Sequence, residues 1–480
     1  MQTLAVTHRR PTIAPLWLAW MAVAAVGLSV LLAALPLRWA LVLAAAVLGG
    51  LALVRWPALG LCLLGVAVPF GSLYEFSLGG LTVGPSELLL AVTLASFLVR
   101  GMAFRNLPGA PSRLWLPLAL YVLWAALSLL RAAWLPTALK ELAKWIELGL
   151  LLWMAASLAE RRWRLWLAVG LLVGGALQAL LGIRQFLLGI GPEGFLLLGR
   201  YMRAYGTFQQ PNPYGGYLGL VLPLAYGLVI AAARPALRDH ERGALALLLL
   251  AGVSGILMAT ALVMSWSRGA LLGAVAGGAL VVLWLVRRSA WAIPALLLVV
   301  VIAVPLANRL LPGGYLGRLA GQTAYLGQDL SQVEIDDDNF SPIERLAHWE
   351  AAWRMFSRHP YGGVGLGQYA VVYPEVALPR WSDPLGHAHN YYLHVLAELG
   401  LVGLTLFLVL CVAVPVVLWR CLRTLSGVER GLGLGALGMW GHLLAHSLVD
   451  NLFVHELYLL MALLIGITLA AAASCKEPLL

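Results

Sequence analysis

A succession of apolar runs, most of them about 20 residues long, limits this chain more than any other feature. They lie near 15–35, 38–54, 57–73, 85–99, 114–131, 138–158, 165–188, 212–233, 243–265, 269–286 and 290–308, and resume near 391–419, 431–449 and 452–473. Lipid leaves no solvent partner for backbone amides, so each run must satisfy its own hydrogen bonds. Alternation with period two is absent, which leaves helices. The expectation is an all-α, polytopic transmembrane bundle of about 12–14 helices with one large extracytoplasmic loop carrying short amphipathic helices. With 61% hydrophobic and only 11% charged residues in 480, the chain cannot cover a water-soluble globule of its mass. Soluble enzymes, disordered chains and disulfide-stapled secreted domains are excluded.

The net charge of +10 does not indicate nucleic acid. Only Lys140, Lys144 and Lys476 are lysines, and arginines cluster between apolar runs, as in Arg161, Arg162 and Arg164, or Arg234, Arg238 and Arg242. Such clusters orient a membrane protein and meet lipid head groups. The expected partners therefore include membrane lipids and no nucleic acid. With the N-terminus inside, these clusters fall on inner connections, the C-terminus is also cytoplasmic, and the stretch 309–390 faces outward. The run at 15–35 reads as a retained first helix, because no small-residue cleavage site follows it. Four units follow: N-terminal helices 1–137, helices with arginine-bearing outer loops 138–308, the outer loop 309–390, and C-terminal helices 391–480. There is no GxxxxGK[ST] loop for a nucleotide-driven motor, and no inverted repeat of the transporter kind is evident. Cys62, Cys411, Cys421 and Cys475 are scattered without metal-ligand spacing and read as free thiols.

Within the outer loop, Ser341-Pro342-Ile343-Glu344 has the form of a capping box opening a helix to about His359. Leu346, Trp349, Trp353 and Phe356 form an apolar stripe that reads as packing at the membrane interface, with Arg345 and His348 beside it. Asp336, Asp337 and Asp338 lack the glycine and terminal glutamate of a calcium loop and read as a solvated face. Gly362-Gly363-Val364-Gly365-Leu366-Gly367 follows no strand and faces the wrong compartment for a nucleotide site, so it reads as a tight backbone path back to the membrane.

The loop re-enters the bilayer at Gly386-His387-Ala388-His389-Asn390. A histidine at the outer mouth of a bundle suits a base near neutral pH. His387 and His389 read equally as polar residues capping a helix, and a two-histidine zinc site is a third reading that lacks a third ligand. Arg203, before the run at 212–233, and Arg268, in Ser265-Trp266-Ser267-Arg268-Gly269, lie on the same outer face. Each alone suits a lipid-phosphate anchor, but together they suit bidentate capture of a diphosphate. Lys140, Glu141, Lys144 and Glu147 either pair inside the bundle or line the site. His442, His446 and Asp450, spaced by four, read as a helix–helix network before a proton relay or metal set.

His389-Asn390, nine residues, Gly400, two residues and Gly403 resembles the signature of the O-antigen ligase and polymerase family. Further matches are Arg203…Phe208…Pro211-Asn212, Ser267-Arg268-Gly269, and Arg345…Trp349 followed by His359-Pro360…Gly363-Val364-Gly365. The resemblance runs from about residue 180 to 460. It implies a glycosyltransferase in the bacterial cytoplasmic membrane with its active site on the periplasmic side. Such an enzyme moves a glycan from an undecaprenyl-diphosphate carrier to an acceptor hydroxyl, on lipid A core or on a second lipid-linked glycan. The resemblance makes His389 the catalytic base and gives the diphosphate to Arg203 and Arg268. Arg345, His348, His387, Asn390, Arg184 and Lys144 are further residues placed to line the site. Inverting transfer without a metal or cofactor is implied, ligase type first. A polymerase on the same scaffold is the alternative, and a flippase or transporter of lipid-linked sugars is the alternative from another class.

Overall fold

A computed structural model describes residues 34–73, 76–78, 81–105, 109, 112–197, 199–287, 294, 325, 327–330, 332–335 and 339–475, together with 23, 26, 27 and 29–31. The described chain is helical, with two short antiparallel ribbons, and eight of its helices are long and apolar enough to cross a membrane. The elements in order are α1 (Leu37–Arg55), α2 (Pro57–Ala67), β1 (Phe76–Leu78), β2 (Leu81–Val83), α3 (Pro85–Ala103), α4 (Trp115–Ser128), α5 (Leu135–Ala156) and α6 (Arg161–Leu188). After β3 (Leu196–Leu197) and β4 (Tyr201–Met202) come α7 (Pro211–Leu237), α8 (Arg242–Met264), α9 (Arg268–Val286), α10 (Phe340–Arg358), α11 (Tyr369–Val372), α12 (Tyr391–Cys421), α13 (Gly427–His446) and α14 (Leu457–Ser474). The all-α polytopic architecture is as expected. The runs expected near 15–35 and 290–308, and the aspartates 336–338, lie largely or wholly outside the described residues.

Two runs differ in character from the rest. The helix expected at 138–158 carries Lys140, Glu141, Lys144 and Glu147, and the one expected at 431–449 is rich in glycine. Both form, as α5 and α13, but neither is among the eight by composition. α13 holds its place through packing, since most of its residues are buried between α7 and α9. Small residues let the backbones approach: a Cβ on Gly227 of α7 would stand 2.5 Å from the Gly431 carbonyl oxygen. Close small-residue contact replaces the hydrophobic drive that lipid cannot supply.

The half of the bundle that carries residues 339–390 is organised by a break in α12. At Gly400 the backbone turns to φ 65°, ψ −167°, which separates 391–399 from 401–421. Glycine is needed there, because a side chain at that φ is strained and would also run into the Tyr361–Gly362 backbone. The break frees carbonyls, and the glycine-rich stretch meets them: Val364 N–H donates to Ala397 O (3.0 Å), Gly365 N–H to Glu398 O (2.8 Å), and Leu401 N–H to Pro360 O (2.8 Å). The Glu398 carboxylate adds bonds from the amides of Gly367 and Tyr369, both at 2.9 Å. The glycines thus serve the return path to the membrane by pairing with an opened helix.

The helix over 340–358 forms, with one departure from its sequence reading. Its N-cap is Asn339, which makes no side-chain cap, so Ser341 lies inside the first turn and the capping box is not made. Its buried face runs through Ile343, Ala347, Ala351 and Met355, not through the tryptophans. α10 lies against α12, and alanines permit that approach where indoles would hold the helices apart.

Candidate functional site

An aromatic stack fixes the floor of the outer site. Tyr391, the first residue of α12, stacks on Phe453 with ring centres 4.4 Å apart, and Phe453 stacks on Trp145 of α5. The Tyr391 amide donates to Ser447 O (2.8 Å), joining the start of α12 to the turn after α13. His389 lies just before Tyr391, and Asp450 just before Phe453. Asp450 Oδ1 stands 3.5 Å from His389 Nδ1 and 3.9 Å from His387 Nε2.

His389 is held at φ 51°, a left-handed conformation uncommon for a side-chain-bearing residue. Asn390 stabilises the turn by capping α12, its Oδ1 accepting from the Leu393 amide at 3.1 Å. The His389 amide donates to His387 Nδ1 (3.1 Å), so neutral His387 carries its proton on Nε2, towards Asp450. Burial, with His389 beside it, pushes the His387 imidazolium down to about 3, so His387 is neutral at physiological pH. Burial opposes the Asp450 charge, but His389, His387 and His446 outweigh it and hold the carboxyl well below the usual carboxylate range. An anionic Asp450 facing His389 Nδ1 favours the Nδ1–H tautomer and leaves Nε2 as a lone pair. Nε2 has no hydrogen-bond partner among the described residues.

The arginines come from three elements. Arg203 Nε donates to Ser265 O (2.9 Å) and its terminal amino group to Asn212 Oδ1 (3.0 Å). These bonds pin Arg203 to the turn that opens α9, whose first residue is Arg268. Gln185 and Gln178 of α6 hold the loop beneath: Gln185 accepts from the Gly206 amide at 2.7 Å, and Gln178 Nε2 donates to Thr207 Oγ1 at 2.7 Å. Burial lowers the Arg203 guanidinium to about 10, helped by the charges of Arg345 and Arg268 and opposed by Asp450. Three guanidiniums therefore share one field beside Asp450. Arg203 and Arg345 have no salt-bridged carboxylate among the described residues.

His348 is buried on α10 (1% exposed) with its ring 5.5 Å from that of His389 and 4.9 Å from Tyr373. Its Nδ1 lies 3.1 Å from the Tyr369 hydroxyl. Burial, then the neighbouring His389, lowers it to about 4. His387, His389, Arg203, Arg268, Arg345 and His348 are thus brought together. Asn390 stands beside them with its side chain engaged in the helix cap. Arg184 is exposed on α6 and shares none of these contacts. Lys144 pairs with Glu141 on α5, within the charge field of His394 on the far side of Tyr391. His446 Nδ1 lies 3.3 Å from His442 Nε2, an internal contact between neighbouring turns of α13.

Asp450 is the member that sequence reasoning placed elsewhere, in the α13 series. The turn after His446 carries it out of that series and against the histidines. Its spacing to His389 gave no signal, since the two lie at opposite ends of a helical hairpin. His387, His389 and Asp450 offer three metal-ligating atoms within 4.8 Å of one another, so the donor set is chemically competent for a cation. One His387 nitrogen is already occupied by the His389 amide.

Residues 253–408 match the family model described as O-antigen ligase, so over that segment the chain is similar to the O-antigen ligase family. The matched span carries Arg268, Arg345, His348, His387, His389 and Gly400, while Arg203 and Asp450 lie on either side of it. A comparison with curated proteins found no match.

Proposed function

From its similarity to that family we propose that this multi-pass membrane protein transfers a glycan from an undecaprenyl-diphosphate carrier to an acceptor hydroxyl at the outer face of the cytoplasmic membrane. His389 carries the reading: a half-buried imidazole whose Nε2 has no hydrogen-bond partner among the described residues, with an anionic carboxylate behind Nδ1 and guanidiniums in the same field. His389 Nε2 takes the proton of the acceptor hydroxyl. The acceptor oxygen bonds to the anomeric carbon as the bond from that carbon to the diphosphate oxygen breaks, with inversion. Arg203, Arg268 and Arg345 meet the charge that grows on the departing diphosphate, and the proton on His389 returns to solvent. A positioned base contributes roughly 10²–10⁴-fold to such a step. Preorganised charge at the leaving group contributes about 10²–10³ per contact.

The proposed sequence of steps uses no metal and no cofactor. A ligase acting on lipid A core is the first form of the proposal, and a polymerase joining two lipid-linked glycans is the second. The test is reconstitution in nanodiscs with lipid-linked glycan and each acceptor, with and without EDTA. Product from the wild type, none from His389→Ala, and no effect of EDTA supports the reading. Loss of activity in EDTA would turn the His387–His389–Asp450 group into a metal site. Passage of intact lipid between leaflets without bond cleavage would favour a transporter.

A further inference from the structure

On the side of α10 turned away from His389, residues 325 and 327–330 help to line a cleft of about 540 Å³. Tyr325, Trp349 and Trp353 supply ring faces, while Gln328, Asp329 and Glu350 supply hydrogen-bonding groups. Trp353 is 53% exposed and so is available to a ligand. The Trp349 indole N–H is enclosed and has no acceptor among the described residues. Glu350 is paired with Arg354 at 2.9 Å, so the cleft is polar without a strong field of either sign. That lining does not suit a lipid tail, which has nothing to offer the carboxylates and amide, nor an anion. It suits a sugar, whose C–H face lies on an aromatic ring while its hydroxyls meet carboxylate and amide at the edge.

The cleft lies across α10 from the proposed reaction centre. Glu344, Arg345 and His348 turn towards His389, while Leu346, Trp349, Glu350 and Trp353 line the cleft, so the two sites are separated by one helix, about 10 Å across. Arg345 shares the charge field of Arg203 and Arg268, where the diphosphate is placed, and Leu346 follows it directly in the cleft wall. A glycan leaving the diphosphate over the edge of α10 enters the cleft, whereas the acceptor hydroxyl comes to His389 Nε2.

We propose that this cleft binds the glycan chain of the donor, several sugars from the bond being made, and keeps its first sugar aligned with His389. The inference rests on the transferase reading given above. Its test uses the full chain in nanodiscs with two donors: the lipid-linked glycan extracted from native membranes and the same donor trimmed to its first sugar. Trp353→Ala raises KM for the long donor several-fold, up to about tenfold, as expected for the loss of one aromatic contact. KM for the trimmed donor, KM for the acceptor and kcat stay unchanged, and Trp353→Tyr restores the wild-type value. An equal shift with both donors, a shift in acceptor KM alone, or no shift overturns the proposal.

A second measurement needs no turnover. Saturation-transfer NMR with the released, lipid-free glycan gives contact signals with the wild type and loses them with Trp353→Ala. Equal signals from both proteins overturn the cleft assignment. Absence of turnover by the wild type beside a Trp353-dependent NMR contact would sink the transferase reading and leave the glycan cleft standing.

Discussion

Asp450 Oδ1 lies 3.5 Å from His389 Nδ1, although 60 positions separate the two residues in the chain. The distance is long for a hydrogen bond, as catalytic contacts often are before substrate closes the site. In the proposed mechanism the pair orients the imidazole and stabilises its protonated form. Asp450→Asn is expected to retain the fold and to lower kcat by roughly 10²–10³ with little change in KM. Initial rates at saturating donor test this; unchanged kcat would remove Asp450 from the machinery.

Arg203→Ala and Arg268→Ala are each expected to reduce kcat/KM for the lipid-linked donor by about 10²–10³, corresponding to about 2.7–4 kcal/mol of barrier. Arg203→Lys is expected to recover only part of the loss, because an ammonium cannot reproduce a two-pronged guanidinium contact. The double variant should lose less than the product of the single losses, since both act on one leaving group. Wild-type rates in both single variants would show that the diphosphate lies elsewhere.

Gly400→Ala introduces a Cβ at φ 65° against the Tyr361–Gly362 backbone. Strain of this kind costs about 1–3 kcal/mol before any clash is counted. The variant is expected to lower the unfolding temperature in detergent and to expose 360–369 to protease, while leaving the distant α1–α3 unit intact. Unaltered proteolysis of that stretch would mean that the helix break is not held by the glycine-rich segment.

His348, at about 4 in the folded protein and near 6.5 when exposed, binds a proton more readily in the unfolded state. Its contribution to stability is therefore complete above pH about 6.5 and is lost as the pH falls towards about 4. His348→Gln should flatten this part of the stability curve, measured by thermal unfolding between pH 7.5 and 4.5. A variant with the wild-type slope would place that proton uptake on another group.

Much of the site's inventory was legible in the sequence because each residue stood out locally. Arg203 and Arg268 are charges beside apolar runs, and His387 and His389 mark the point where the outer loop re-enters the bundle. The distinct roles of Asn390, Arg184 and Lys144 were not legible. Side chains adjacent in sequence point to different partners, so Asn390 caps α12 while His389 faces Asp450, and Arg184 is exposed while the next residue, Gln185, is buried holding the Gly206 loop. The tryptophans of α10 do not mark the face that packs on α12. Here the partner is a helix at close range, which selects alanine.

By itself, the sequence determined the membrane-spanning helical class, because hydrocarbon thickness and backbone hydrogen bonding leave few other uses for apolar runs of that length. It also indicated that the glycines of 362–367 would set a tight backbone path back to the membrane. Tertiary structure alone decided that α12 opens at Gly400 to pair with 363–365, that Asp450 leaves the α13 series to face His389, and that α10 divides the arginines from the cleft. Each is a contact between segments far apart in the chain. No local propensity encodes such pairings; close-packed backbones and stacked rings fix them once the helices have assembled.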